Sequence, residues 1–385
     1  MADKNKDTIM LLAGGDVDPI FESADQSAEL ILPLLREADL RFGQCERTYS
    51  ERGWPEFPGT SHGELSNHRD LKRASIWKTA GIDIISMASN HTMDWGPEAL
   101  LDTKEFFRSM GKHVIGVGKD GDEARKPALV ERNGVKLAFL AYCSVLRPGH
   151  QAGQNKPGCA PMRAHSSYEP VDWQPGAPPN VLTVPYEEDL LALLEDIRKA
   201  KQQADVVVMS IHWGLHHMPK AICDYQPVVA HAAIDAGADL ILGHHPHCLK
   251  AIEVYKGKVC FYSLGNFLIT GPHTNAARDP SKRNVWNLWW YRMDPECLPP
   301  KGMYLFPADA RKTLMAKAVL SKKGVERVSF LPMFINGQGQ PVAMAPSDPK
   351  FEEILEYIEW LSDCHSHKFR VEGNEVVVDT LACES

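Results

Sequence analysis

Six short apolar runs, rich in β-branched residues, punctuate the chain: TIMLLAG at 8–14, IDIISMA at 82–88, VKLAFLAYC at 135–143, DVVVMSI at 205–211, DLILG at 239–243 and VCFYS at 259–263. Each is continuous rather than alternating, as in strands covered on both faces. Between them the apolar period lengthens to that of a helix. SAELILPLLREA at 27–38 follows the first run. GPEALLDTKEFFRSMG at 96–111 follows the second, with Pro97 in the first turn, where a missing N–H costs nothing. YEEDLLALLEDIRKAKQQ at 186–203 sets Leu190, Leu191, Leu194 and Ile197 on one face, and FEEILEYIEWLSDC at 351–364 repeats the pattern. Strands interleaved with helices predict an α/β fold with layered helices.

Two stretches interrupt this rhythm. Residues 147–185 are dense in Pro and Gly and read as a long loop, either a lid or a solvated excursion. Residues 271–312 are irregular and carry Trp286, Trp289 and Trp290. The pattern divides into one domain over 1–346, with insertions at about 147–185 and 271–312, and a helical extension over 347–385. No internal repeat or heptad pattern is evident.

Composition narrows the class. At 44% hydrophobic and 24% charged, the 385 residues can bury a full core. A net charge of −8 argues against a general nucleic-acid binder. The run at 8–14 is too short to span a membrane and leads straight into GGDVD, so it reads as a core strand rather than a signal peptide. The nine cysteines are odd in number, scattered and without a Cys-x-x-Cys pair. They predict free thiols and a reducing cytoplasm.

The chemistry lies at the ends of the apolar runs. The first leads into Gly14-Gly15-Asp16-Val17-Asp18, and the second into Ser89-Asn90-His91 with Asp94 three residues on. The fourth is followed by His212-Trp213-Gly214, and the fifth by His244-His245-Pro246-His247. In open α/β sheets, ligands bind outside the carboxyl ends of the strands. Carboxylate, amide and imidazole converging there suit one or two divalent ions of Zn, Mn or Fe. Two such ions about 3.5–4 Å apart can turn water into a hydroxide nucleophile at neutral pH. Gly15 and Gly243 read as points where the backbone turns out of the sheet. Alone, Asp16 is equally a turn residue, Asn90 a turn former and His212 a buried histidine. Three histidines in four residues have no comparable packing explanation, because each needs polar partners when buried.

GGDVD, MASNHTMDWG, SIHWG, GHHPH and FYSLGNF stand in an order that resembles the CapA, or poly-γ-glutamate capsule biosynthesis, family of the calcineurin-like metallophosphatase superfamily. The likeness covers about residues 8–270, and SFLPMFINGQGQPVAM is similar to the family's closing strands. It implies a four-layer α/β/β/α sandwich of the metallophosphatase type with a dinuclear metal centre. By that resemblance Asp16, Asn90, His212, His245 and His247 are metal ligands. His91 is the catalytic imidazole and Asp94 its carboxylate partner. Glu46, in GQCERTYS, stands where the family carries Asn-Leu-Glu and is the bridging ligand.

Asp18 occupies the place of a ligating histidine and is read as an oxygen ligand or a turn residue. Gln44 replaces the Asn of Asn-Leu-Glu, which leaves a one-metal site open. Arg47, Arg147, Arg163, Trp213, His216, His217 and His244 are the candidate pocket residues, and the arginines would favour an anionic small-molecule or peptide substrate. The expected activity is hydrolysis of an amide (γ-glutamyl, peptide or lactam) or a phosphoester. A proton-transfer epimerase and a non-catalytic polyglutamate assembly subunit are the alternatives. Capsule proteins of this kind are usually membrane-anchored. This chain shows no anchor, so capsule synthesis itself is not the expected role.

Overall fold

The apolar runs fold as strands of two sheets laid face to face. The computed structural model describes residues 7–19, 24–56, 71–269, 304 and 306–381. In chain order the strands are β1 (Thr8–Asp18), β2 (Leu40–Cys45), β3 (Ile84–Ser86), β4 (His113–Ile115), β5 (Val117–Gly118), β6 (Ala128–Arg132), β7 (Val135–Cys143), β8 (Gly158–Cys159), β9 (Ala164–Glu169), β10 (Asn180–Pro185), β11 (Val206–His212), β12 (Leu240–His244), β13 (Ile252–Tyr255), β14 (Lys258–Phe261), β15 (Asn266–Ile269), β16 (Lys312–Ser321), β17 (Gly324–Ile335), β18 (Pro341–Ala343), β19 (Phe369–Glu372) and β20 (Glu375–Val378). One sheet runs β19-β20-β17-β16-β1-β2-β3-β4, with β15 on β1 and β18 on β17. The other runs β13-β14-β12-β11-β7-β6. Strands β1, β2, β3 and β4 are mutually parallel, as are β7, β11, β12 and β14.

Residue parity shows how the layers stack. Along the second sheet, Leu137, Phe139, Val206, Val208, Leu240, Leu242, Val259 and Phe261 join one core with residues of the first sheet. Their neighbours Ala138, Leu140, Val207, Met209, Ile241 and Cys260 join a separate core with Leu193, Ile197, Val229 and Ala233. Those four belong to the helices Glu187–Lys201 and Tyr225–Ala236. The first sheet repeats the device. Phe42 stacks on His244 of the facing sheet, whereas Gly43 lies against Trp77. Trp77, on the helix Ser75–Thr79, packs edge-on to Phe107 of the helix Gly96–Ser109. The order is helix, sheet, sheet, helix: an α/β sandwich of the metallophosphatase type.

Some elements differ from the sequence pattern. The helical period at 27–38 is broken into a 3₁₀ turn, Ala24–Ala28, and a short helix, Leu32–Leu35. Pro33 has no N–H to continue a helix begun earlier, and its ring would meet the carbonyl one turn back. Residues 147–185 contain β8, β9 and β10 rather than one long loop. Hydrogen bonds from Cys143 N to Ala160 O and from Met162 N to Cys143 O tie the first part to β7. Residues 347–385 contain the helix Pro349–Ser362 and also the hairpin β19–β20, which pairs onto β17. The stretch with Trp286, Trp289 and Trp290 lies outside the described residues. Among the described residues, no helix is long and apolar enough to cross a membrane. The described cysteines are free thiols.

Candidate metal centre

The site gathers at the carboxyl ends of parallel strands from both sheets. Asp16 lies within β1, where the strand exchanges one neighbour for another. Thr8–Ala13 pair with β16, and Asp16 onward pairs with β15. Glu46 follows β2, Asn90 and His91 sit on the turn after β3, and His212 ends β11. His244 ends β12, and His245 and His247 occupy the turn beyond it.

Close backbone approach, not a change of direction, explains the glycines. Neither Gly15 nor Gly243 has a left-handed φ. A Cβ on Gly15 would stand 1.9 Å from Gly265 O, and one on Gly243 would stand 2.2 Å from Tyr262 O. His245 at φ 96° and His247 at φ 53°, in the turn after β12, are left-handed, as is His217 at φ 51°. Such conformations in non-glycine residues cost about 1–3 kcal/mol and persist where the surroundings enforce them.

Two groups of side chains face each other. Asn90 Oδ1 lies 2.7 Å from His212 Nε2 and 3.3 Å from His245 Nδ1, and the two nitrogens are 3.1 Å apart. Beside them, Asp16 Oδ2 is 3.2 Å from His247 Nδ1. Glu46 Oε1 is the hub. It lies 3.8 Å from His247 Nε2, 3.9 Å from His91 Nε2 and 4.0 Å from His212 Nε2. Ligand atoms of Asp16, Glu46 and His212 fall within 4.8 Å of one another.

Electrostatics point the same way. Both carboxylate oxygens of Asp16 and both of Glu46 are buried without a hydrogen-bond partner. Burial, then the Asp16 carboxylate, pushes the Glu46 carboxyl up to about 8. Burial and the neighbouring imidazoles hold His212 and His245 well below the usual range, so both rings keep a lone pair. Burial alone would depress His247, yet Asp16, Glu46 and Asn266 raise it to about 9. Buried carboxylates that repel one another, facing neutral imidazoles and an amide oxygen, form a donor set that a divalent cation satisfies. Asp16, Glu46 and His247 on one side, and Asn90, His212 and His245 on the other, are the residues that fit it.

His91 and Asp94 form a dyad beside this set. His91 Nδ1 is 2.7 Å from Asp94 Oδ2. Burial lowers the pKa of His91 despite Asp94. Asp94 is held below the usual range because His91, Arg47 and Arg147 outweigh its burial. The turn is pinned by Ser89, whose hydroxyl donates to Glu46 O at 2.9 Å and accepts from His91 N at 3.1 Å.

The remaining sequence candidates divide. Asp18 is paired outside the cluster atoms: its Oδ2 accepts from Arg47 Nε at 2.6 Å, after a register shift between Asp16 and Val17. Arg47 Nη1 lies 3.8 Å from Asp94, and Arg147 Nη1 lies 3.5 Å from the same carboxylate and 2.5 Å from Glu56. His216 stacks on His245 at 3.8 Å, and His217 stacks on His216 at 5.2 Å. Three candidates are held by other partners or buried away from solvent. Arg163 is clamped by Asp189 at 2.7 Å and lies over Tyr186. Trp213 is fully buried on the helix-covered face, opposite to His212, and donates to Tyr262 O at 2.9 Å. His244 is sealed between the sheets, 3.8 Å from Asp16, with burial lowering its pKa to about 4. Asn266, not singled out as a site residue, accepts from His247 Nδ1 at 2.8 Å. Its signal was the Asn of FYSLGNF.

A two-sheet sandwich with a metal-ligand cluster across its strand ends defines a protein of the metallophosphatase class. Residues 7–270 match the family described as Bacterial capsule synthesis protein PGA_cap. The chain belongs to that family. It is 32% identical over 263 residues to the PGA biosynthesis protein CapA of Bacillus subtilis, covering 67% of this chain and 61% of that one. It is 33% identical over 195 residues to the capsule biosynthesis protein CapA of Bacillus anthracis, covering 50% of this chain and 41% of that one. A probable polyglutamine synthesis accessory protein of Mycobacterium tuberculosis is 28% identical over 187 residues, covering 48% of this chain and 44% of that one. The matches thus span less than two thirds of each relative.

Proposed function

We propose that this chain is a metal-dependent hydrolase that cleaves an amide bond in a glutamyl polymer or a fragment of one. The observation that carries the reading is the meeting of Asn90 Oδ1, His212 Nε2 and His245 Nδ1 within 3.3 Å, beside the unpartnered carboxylates of Asp16 and Glu46. These residues would hold a divalent ion of Mn, Zn or Fe, which when bound would supply Lewis-acid polarisation and lower the pKa of a bound water.

The chain's own residues do the rest. Asp94 accepts the Nδ1 proton of His91, which leaves the lone pair on Nε2 facing Glu46. His91 takes the proton of the attacking water at Nε2 and returns it to the leaving nitrogen. Burial keeps the imidazole neutral and ready to receive it. His91, with Arg47 and Arg147, holds the Asp94 carboxyl below the usual range, and the two arginines place positive charge beside the dyad, which favours a substrate bearing carboxylates. The names of the relatives, which refer to PGA and polyglutamine synthesis, support a glutamyl substrate and run against the expectation that capsule synthesis is not the role. A non-catalytic assembly subunit is disfavoured by the His91–Asp94 dyad, which has no role in a purely structural site.

The test is a panel of γ-glutamyl amides, lactams and phosphoesters on metal-reconstituted protein. Turnover of a γ-glutamyl amide is expected, and His91→Ala should keep its metal while losing about 10²–10⁴-fold in kcat. Turnover of phosphoesters alone would overturn the amide assignment, and full activity in His91→Ala would overturn the role of the dyad.

A further inference from the structure

His247 Nδ1 and Asn266 Oδ1 are 2.8 Å apart, and both side chains are buried. Asn266 Nδ2 donates to the Tyr304 hydroxyl at 2.7 Å. That hydroxyl donates its single proton to Ala310 O at 2.5 Å, so it meets Asn266 only as an acceptor. The proton count orients the amide. Its nitrogen must face Tyr304 and its oxygen must face His247. An oxygen there accepts, so His247 must carry a proton on Nδ1. Asp16 Oδ2 lies 3.2 Å from the same nitrogen but forms no hydrogen bond with it. Nε2, 3.8 Å from Glu46 Oε1, is the atom turned to that carboxylate. The Thr313 hydroxyl reaches the Asn266 carbonyl and fixes the main chain at the start of β15.

We infer that Asn266, oriented by Tyr304 and Ala310, is a positioning residue that selects Nε2 of His247 as the nitrogen offered to a metal. The inference rests on the metal reading of the site but not on the reaction. The chain Ala310–Tyr304–Asn266–His247 reaches from the turn before β16 to the centre, so ligand orientation is built into the sheet.

Zinc affinity, measured by competition with a chelator, tests it in wild type, Asn266→Leu, Asn266→Asp and Tyr304→Phe. Leu keeps the volume and removes the acceptor, and should weaken binding about 10- to 100-fold. Asp keeps the acceptor and should bind as well as wild type or better. Tyr304→Phe frees the amide to rotate without emptying the core, and should weaken binding by about 3- to 10-fold on the same scale. Long-range ¹H–¹⁵N spectra of the zinc-loaded wild type should show His247 protonated on Nδ1. Wild-type affinity in Asn266→Leu, equal losses in the Leu and Asp variants, an unaffected Tyr304→Phe, or zinc on Nδ1 would each overturn the inference. Zinc binding with these losses but no turnover of any substrate overturns only the hydrolase reading. A wild type that binds no zinc overturns both.

Discussion

Asp16 and Asp18 stand two residues apart on β1 and do opposite work. The register shift after Asp16 breaks the alternation that would send both side chains to one side. Asp16 keeps two unpartnered oxygens at the cluster, while Asp18 closes a 2.6 Å ion pair on Arg47. Asp16→Asn should therefore lower metal affinity at least about 10-fold, and Asp18→Asn should leave stoichiometry unchanged while disturbing Arg47. Metal analysis after dialysis checks this, and metal loss in Asp18→Asn would restore it to the ligand set. At this scale the three clustered histidines part company: His245 and His247 face the cluster, while His244 packs on Phe42 between the sheets. The Asp189 partner of Arg163 and the buried face of Trp213 were not legible, because a long side chain's partner, and the face on which a residue falls past a strand end, depend on tertiary contacts that one segment does not carry.

At the scale of elements, glycines set how closely strands meet. A Cβ on Gly15 would overlap the carbonyl of Gly265, and backbone cannot step aside as a flexible side chain can. Gly15→Ala should cost about 3 kcal/mol, at the upper end of overpacking effects, read as a lower denaturation midpoint at unchanged slope. An unchanged midpoint would mean that the two strand ends are free to part. Long apolar runs such as VKLAFLAYC and DVVVMSI announced β7 and β11 because both faces are covered. Strand β2 was not announced. LRFGQC mixes Arg41, Gly43 and Gln44 into the run, each for a local reason: Arg41 binds Asp83, Gly43 admits Trp77, and Gln44 donates to Ala88 O. Glu46 came into view only through the resemblance, since its strand carried no signal.

Contacts outside the candidate metal centre tie the second sheet to a helix and to the chain after the helix Pro349–Ser362. Glu253 on β13 accepts from Tyr262 at 2.7 Å and from His231 of the helix Tyr225–Ala236 at 3.0 Å, with His365 at 3.7 Å. Burial alone would raise its pKa, yet His365, Tyr262 and His231 hold it at about 2. An unfolded glutamate titrates near about 4.3, so this group's stabilisation is fully present above that pH and is lost as pH falls towards 2. Glu253→Gln should remove about 2 kcal/mol at neutral pH, allowing for partial screening, and should flatten the fall in stability between about pH 4.5 and 2. Urea denaturation at several pH values reads this directly, and a variant with the wild-type acid profile would exclude Glu253 as its source.

One cluster of buried donors lies across the two sheets, and bound metal is its most direct test. Protein stripped with a chelator, reconstituted with manganese or zinc and freed of excess ion should hold one or two equivalents by elemental analysis. His212→Ala should hold markedly less. Stripped and reconstituted wild type that holds no ion, or His212→Ala that holds as much as wild type, would contradict a metal centre built on these residues.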